Sequence, residues 1–235
     1  MERNINLNRF GNYSIAIDGP AASGKSTVAK KIAADLGIIY IDTGAMYRAI
    51  ALYCIRNNIQ PNDAETVNSV LDDIDVTIKL EDGNAVVFLN GENVKGLIRT
   101  EEVSAGASTV SANPKVREKL VSLQQKLGES ESVIMDGRDI GSVVLPKANL
   151  KIYMTADINV RAQRRYDELV ENSRADGTNY DNVLADLTTR DYNDSHRAAS
   201  PLVRLPEAKY IDTTEMSIDE VVDTVLNLIE SDITS

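Results

Sequence analysis

Tyr13-Ser14-Ile15-Ala16-Ile17-Asp18-Gly19-Pro20-Ala21-Ala22-Ser23-Gly24-Lys25-Ser26 is the stretch that decides the fold. Its first six residues read as a short buried strand. Gly19 to Ser26 then fit G-x-x-x-x-G-K-[ST], the phosphate-binding loop. Gly19 and Gly24 allow backbone angles that a Cβ forbids, so successive N–H groups can turn inward toward a polyphosphate. Lys25 brings a cation to the β- and γ-phosphates, and Ser26 offers a hydroxyl to Mg²⁺. A helix follows from Ser26 to Leu36, with Val28, Ala29, Ile32, Ala33 and Leu36 on one face. Its N-terminus adds partial positive charge. Strand, loop and helix together predict a nucleoside triphosphate site made of Gly19, Pro20, Ala21, Ala22, Ser23, Gly24, Lys25, Ser26 and Thr27.

Working outward, strands and helices alternate. Ile38–Ile41 is a second apolar strand and Thr43–Asn57 a helix. Ser132–Met135, Leu150–Met154 and Lys209–Ile211 are further strands. The last helix starts at Ser217, where Ser217-x-x-Glu220 makes a capping box, and runs to Ile229. Continuous apolar strands, each followed by a helix, predict an α/β fold with a five-stranded parallel sheet covered on both faces. One segment breaks the rhythm. Asp75–Leu80, Glu81-Asp82-Gly83-Asn84 and Ala85–Leu89 read as a hairpin with a polar turn, and Val94 starts a third short strand. Glu101–Ser111 and Pro114–Leu127 are helical. An insert is therefore placed at about 70–110, between core segments 13–69 and 111–235. Residues 1–12 read as a loose extension, and Asn172–Tyr180 as a loop between two helices.

Composition narrows the partners. A net charge of −11 over 235 residues argues against a nucleic-acid coat protein. One cysteine and one histidine exclude an internal disulfide and a zinc site. Cys54 falls in an apolar helical pattern and reads as core. There is no 18-residue apolar run and no signal peptide, so the expectation is a cytoplasmic monomer off the membrane.

Local charge then says what the triphosphate is used for. No Asn-Lys-x-Asp reads guanine. Val133-Ile134-Met135-Asp136 resembles the metal-holding strand of a translocating ATPase, but Gly137-Arg138-Asp139 follows and suits a grip on a second substrate. Asp42-Thr43-Gly44-Ala45-Met46-Tyr47-Arg48 likewise follows a strand and opens a helix, at the sheet edge where ligands bind. Arg161, Arg164 and Arg165 lie on one helix, with Arg174 in the loop after it. Arg190, Asp194 and Arg197 are spaced i, i+4, i+7 and are expected on one helical face. Phosphoryl transfer between two phosphorylated molecules gathers negative charge, and arginines of this kind neutralise it and exclude water. The structural alternative is an exposed helix face paired with Asp157, Asp167, Glu168 and Asp191.

These motifs, in this order, resemble the bacterial cytidylate kinases. The likeness is carried by Gly19–Ser26, Asp42–Arg48, Ile98-Arg99-Thr100-Glu101-Glu102-Val103, Val116-Arg117, Asp136-Gly137-Arg138-Asp139-Ile140-Gly141, Arg190-Asp191 with Asp194 and Arg197, and Pro201-Leu202. It spans about Tyr13 to Ile229. The resemblance implies a nucleoside monophosphate kinase fold with a β-rich insert on the monophosphate side and a short lid, here about 161–180. It implies transfer of the γ-phosphoryl of ATP to CMP or dCMP with Mg²⁺. It places base reading on Ser108, Arg117 and Asp139, acceptor-phosphate binding on Arg48, Arg138 and Arg197, and sugar contacts on Arg190 and Asp194. Thr43 stands where the family often has Ser, and keeps the hydroxyl. On this basis Lys25, Arg138, Arg190 and Arg197 are the catalytic set, Thr43 joins the substrate site, Arg161 and Arg165 serve ATP, and Ser26 is the metal ligand.

The residue chemistry is consistent with that reading. Cytosine donates from N4 and accepts at N3, so a carboxylate and an arginine distinguish it from uracil. Alignment and charge neutralisation suffice for catalysis, without a protein nucleophile. Two alternatives stand beside it. One is a kinase for UMP or another small metabolite; the other is a nucleotide-gated binding protein that transfers nothing.

Overall fold

The computed structural model describes residues 5, 7, 11–81, 84–172 and 177–234. Arg174 and the turn residues Asp82 and Gly83 lie outside them. Five strands form one parallel sheet in the order β2-β6-β1-β7-β8: β1 Ser14–Asp18, β2 Ile39–Asp42, β6 Val133–Gly137, β7 Leu150–Thr155 and β8 Lys209–Asp212. A second, antiparallel sheet holds β3 Val76–Glu81, β4 Asn84–Leu89 and β5 Glu92–Asn93. The third short strand thus precedes Val94, whose side chain is buried in the core.

Helices cover both faces of the parallel sheet, as the apolar strands require. On one face, α1 (Lys25–Leu36) and α8 (Ile218–Thr234) pack Val28, Ile32, Val225 and Ile229 against Ile15, Ile17 and Ile152. The predicted capping box opens α8: the Ser217 N–H donates to Glu220 Oε2 at 2.8 Å, and the Glu220 N–H to Ser217 Oγ at 3.3 Å. Leu7, within the stretch expected to be a loose extension, is buried in this same cluster.

On the other side, α2 (Thr43–Arg56), α4 (Glu101–Val110) and α5 (Pro114–Ser130) share a core with the small sheet. Val76, Val87 and Leu89 pack in one cluster with Ile50, Val103 and Leu120. The hairpin is therefore bonded by burial to the helices that flank it. Cys54 is buried in this cluster as expected. A short α3 (Ala64–Ser69), capped by Asp63, leads into the hairpin and was not foreseen. Last, α6 (Ile158–Glu171) and α7 (Tyr180–His196) pack Ala162, Leu169, Val183 and Leu187 onto Ala21 of the phosphate-binding loop. Among the described residues no helix is long and apolar enough to cross a membrane.

The register places the chemistry. Ile17 on β1 and Asp42 on β2 both lie opposite Asp136 on β6, and Asp18 lies opposite Gly137. Three carboxylates thus meet at the carboxyl end of the sheet, beside the loop that follows β1.

Candidate active site

The phosphate-binding loop is shaped by close approach. Gly19 has φ +149, and a Cβ there would lie 1.9 Å from the Met154 carbonyl oxygen at the end of β7. Gly24, with φ +89, is the N-cap of α1, which starts at Lys25 rather than Ser26. Ala22 also takes a positive φ, 58°. Lys25 is buried, and its Nζ donates to the Pro20 carbonyl at 2.5 Å and to Ser23 Oγ at 3.2 Å. Burial, then the nearby Arg138, lowers its pKa. An anion in the loop would offset both. Thr27 is exposed at the first turn of the helix.

Asp136 is the hub between this loop and β2. Its Oδ2 accepts from Ser26 Oγ at 2.8 Å and its Oδ1 from the Tyr40 hydroxyl at 2.8 Å. Its backbone carbonyl accepts from Thr43 Oγ1 at 2.7 Å. Burial, then the neighbouring Asp42, pushes the Asp136 carboxyl up from its ordinary value. The Ser26 hydroxyl and the Asp136 carboxylate are hard oxygen donors of the kind Mg²⁺ takes alongside water and phosphate oxygens. A cation there would relieve the buried carboxylate. The donor set therefore fits Mg²⁺, although the described residues hold no cluster of three or more His, Cys, Asp or Glu side chains suited to a metal.

Beyond the loop, the residues expected to take the second substrate are joined in charged pairs. Asp42 caps α2 through the Ala45 N–H at 3.0 Å and holds Arg48 at 2.7 Å. Arg138 Nε donates to Asp194 Oδ2 at 2.6 Å. Asp139 is buried and accepts from Arg117 and from Arg197, the latter at 3.3 Å. Its carboxyl is nonetheless pushed up, because burial outweighs the two arginines. Asp139 thus pairs with Arg117 and Arg197 and not with Arg138 beside it in the chain. Arg117 also lies over the Tyr47 ring, 5.8 Å from its centre. Ser111 joins the group: its carbonyl accepts from Arg117 at 3.3 Å and its hydroxyl from Arg197 at 3.4 Å. Ser108, one turn earlier on α4, gives its carbonyl to the Ser111 hydroxyl at 2.7 Å.

One expectation needs correction. Arg197 does not share a helical face with Arg190 and Asp194, because α7 ends at His196 and Arg197 is extended at φ −63, ψ 142. Its Nε is held by the Ser200 carbonyl at 2.7 Å, and this turn directs the guanidinium back to Asp139.

Two guanidinium nitrogens stand out. Arg190 Nε and Arg48 Nε are buried with no hydrogen-bond partner. The Arg190 pKa is lowered to about 10 by burial and then by Arg138, with further repulsion from Arg48 and Arg165. Cations crowded together with unused donors have the chemistry that a bound anion would complete.

The α6 arginines divide. Arg161 is buried and committed: it donates to the carbonyls of Ala156 at 2.9 Å and Ala21 at 3.0 Å, and pairs with Asp191 at 2.6 Å. Asp191 also accepts from the Ala21 N–H at 3.4 Å. Arg164 is tied to Thr213. Arg165 pairs with Glu101 and with Glu168, both half-exposed. The sequence assigned no part to Tyr40 or Ser111 and read Asp18 only as a strand end; Asp191 and Glu168 entered as ion-pair partners of the arginines, and their pairs with Arg161 and Arg165 are found. The one signal was that Asp18, Asp42 and Asp136 each close an apolar strand.

The family model for cytidylate kinase matches residues 15–231. This chain belongs to the cytidylate kinase family. It is 49% identical over 215 residues to the cytidylate kinase of Caldicellulosiruptor bescii, covering 92% of this chain and 94% of that relative. It is 44% identical over 216 residues to that of Ligilactobacillus salivarius, covering 92% and 96%. Among solved structures, an uncharacterized protein from Eubacterium ventriosum superposes with a TM-score of 0.53 at 13% identity, covering 94% of this chain and 99% of that one, a likeness of fold alone.

Proposed function

We propose that this kinase transfers the γ-phosphoryl of ATP to CMP or dCMP, releasing ADP and CDP or dCDP. The observation that carries the reading is a run of contacts: Ser26 of the phosphate-binding loop bonds Asp136 at the end of β6, Asp139 three residues on pairs with Arg117 and Arg197, and Arg48 and Arg190 keep buried Nε donors without a partner.

Backbone N–H groups of residues 22–27 and Lys25 take the triphosphate, Lys25 exchanging the Pro20 carbonyl for phosphate oxygens. Ser26 and Asp136 would hold Mg²⁺, which would supply charge neutralisation for the phosphoryl group in transfer. Arg161 supports the ATP side by fixing Ala21. Arg165 is the α6 arginine whose carboxylate partners can be exchanged for phosphate. Arg48, Arg138 and Arg197 receive the acceptor phosphate, and Arg190 with Asp194 the sugar. Arg138, Arg190 and Arg197 then offset charge as it spreads in transfer. Thr43 fixes β2 against β6 at the acceptor side. Asp139 accepts from cytosine N4, each of its oxygens having a lone pair beyond those used by Arg117 and Arg197. Arg117 donates to N3 or O2, and Ser108 completes the base wall. The protein acts as a cytoplasmic monomer.

A coupled assay of ADP formation with ATP and a panel of monophosphates tests this. CMP and dCMP should drive turnover far faster than UMP, AMP or no acceptor. Acceptor-independent hydrolysis, or turnover favouring UMP, would reject it.

A further inference from the structure

Asp18 ends β1, immediately before the phosphate-binding loop, and is 6% exposed. Its carboxylate is held by two backbone donors. Oδ1 accepts the Ile140 N–H at 2.7 Å, and Oδ2 accepts the Gly141 N–H at 2.8 Å. These two residues open a π turn, Ile140–Val144, directly after Arg138 and Asp139. The first N–H groups of such a turn have no partner within it. The β1–β6 ladder ends at Asp18 and Gly137, so beyond that rung this carboxylate ties the turn to β1. Gly141 makes room for it: a Cβ there would lie 3.3 Å from Asp18 Oδ2 and 3.3 Å from Lys151 Cδ.

We propose that Asp18 is a positioning residue for the acceptor nucleotide, fixing Arg138 and Asp139 relative to the phosphate-binding loop through the backbone N–H groups of Ile140 and Gly141. This rests on the reading that Arg138 and Asp139 contact the acceptor. A carboxylate is the required group, because both its oxygens accept. Asparagine would meet one of the two N–H donors with its own NH₂ and leave a buried donor unpaired. The turn would then shift, carrying Arg138 and Asp139, while the loop backbone that binds ATP kept its own bonds.

The test begins with the wild type. Amide hydrogen exchange without nucleotide should show Ile140 and Gly141 protected like strand interiors. Exchange at the rate of an open loop would overturn the proposal whatever the substrate. D18N should raise the KM for CMP about tenfold and lower the CMP-to-UMP ratio of kcat/KM several-fold. Its ATP dissociation constant should stay within twofold of wild type. G141A, which presses on the same carboxylate from the other side, should give the same pattern. Equal losses for ATP and CMP, or no change in the KM for CMP in either variant, would overturn it. So would failure of both variants to fold, which would make Asp18 a residue of the fold alone. Failure of the underlying functional reading would be seen separately, as a wild type that does not prefer CMP.

Discussion

Under the proposed function, the two halves of the site would bind phosphate in different ways. The donor half is contiguous: one stretch, residues 19–27, carries the backbone N–H groups that follow Pro20, one lysine and the N-terminus of α1. In the absence of ligand its cation is satisfied locally, with Lys25 on Pro20 and Ser23. The acceptor half is assembled from α2, α4, α5, the turn after β6, and α7. Its cations are held by carboxylates far away in sequence, Arg117 by Asp139 and Arg138 by Asp194. Two of its arginines keep buried nitrogens unpaired. A backbone cradle is indifferent to which triphosphate it holds, whereas a lattice of paired side chains can choose a base. On that proposal the fold confines generality to one half and selectivity to the other.

The largest effect should come from the donor half. K25A should lower kcat by at least about 100-fold while circular dichroism and Tm stay close to wild type. A variant within threefold of wild-type kcat would break the assignment of the loop. R190M should cost less in rate, about tenfold to 100-fold in kcat. It should also raise the Tm of the ligand-free protein, since a buried cation repelled by Arg138 is replaced by an apolar side chain. A lowered Tm would show that Arg190 is a structural pair member, and would erase the contrast drawn between the halves.

A smaller effect tests the seam between them. Burial lifts the Asp18 carboxyl from 3.8 to about 6. Between those values the folded protein holds a proton that the unfolded chain has released. The contribution of Asp18 to stability is therefore present at low pH and lost as pH rises through about 6, by about 3 kcal/mol. Unfolding free energy measured against pH should show this decline in the wild type and not in D18N; parallel curves would refute it. The smallest effect belongs to the hairpin. Replacing Glu81-Asp82-Gly83-Asn84 by another four-residue turn should leave the ATP dissociation constant within twofold, because the hairpin packs on α2 and α4 and not on the loop.

The donor half was legible in the sequence because its geometry is local. A loop between a strand and a helix needs its glycines, lysine and serine next to one another. The parallel sheet was legible for the same reason, through apolar strands and capped helices. The acceptor half was outlined by its local charge and given individual roles only by resemblance to a family, and its wiring was not legible. Asp139 pairs with Arg117 and Arg197 rather than with Arg138 beside it in the chain. No spacing rule links residues brought together by the ends of parallel strands. Arg197 left the expected helical face because α7 stops one residue earlier. Asp18 and Tyr40 read as strand residues because their partners, Ile140, Gly141 and Asp136, lie about a hundred residues away.

The central claim is that base choice resides in the paired charges of the acceptor half. The most direct measurement is the ratio of kcat/KM for CMP to that for UMP in D139A and in the wild type. The account predicts that D139A loses about 5- to 150-fold for CMP, some 1–3 kcal/mol, and little for UMP, so that the ratio collapses. Equal losses for the two nucleotides, with the ratio unchanged, would show that Asp139 only holds Arg117 and Arg197 in place and would contradict it.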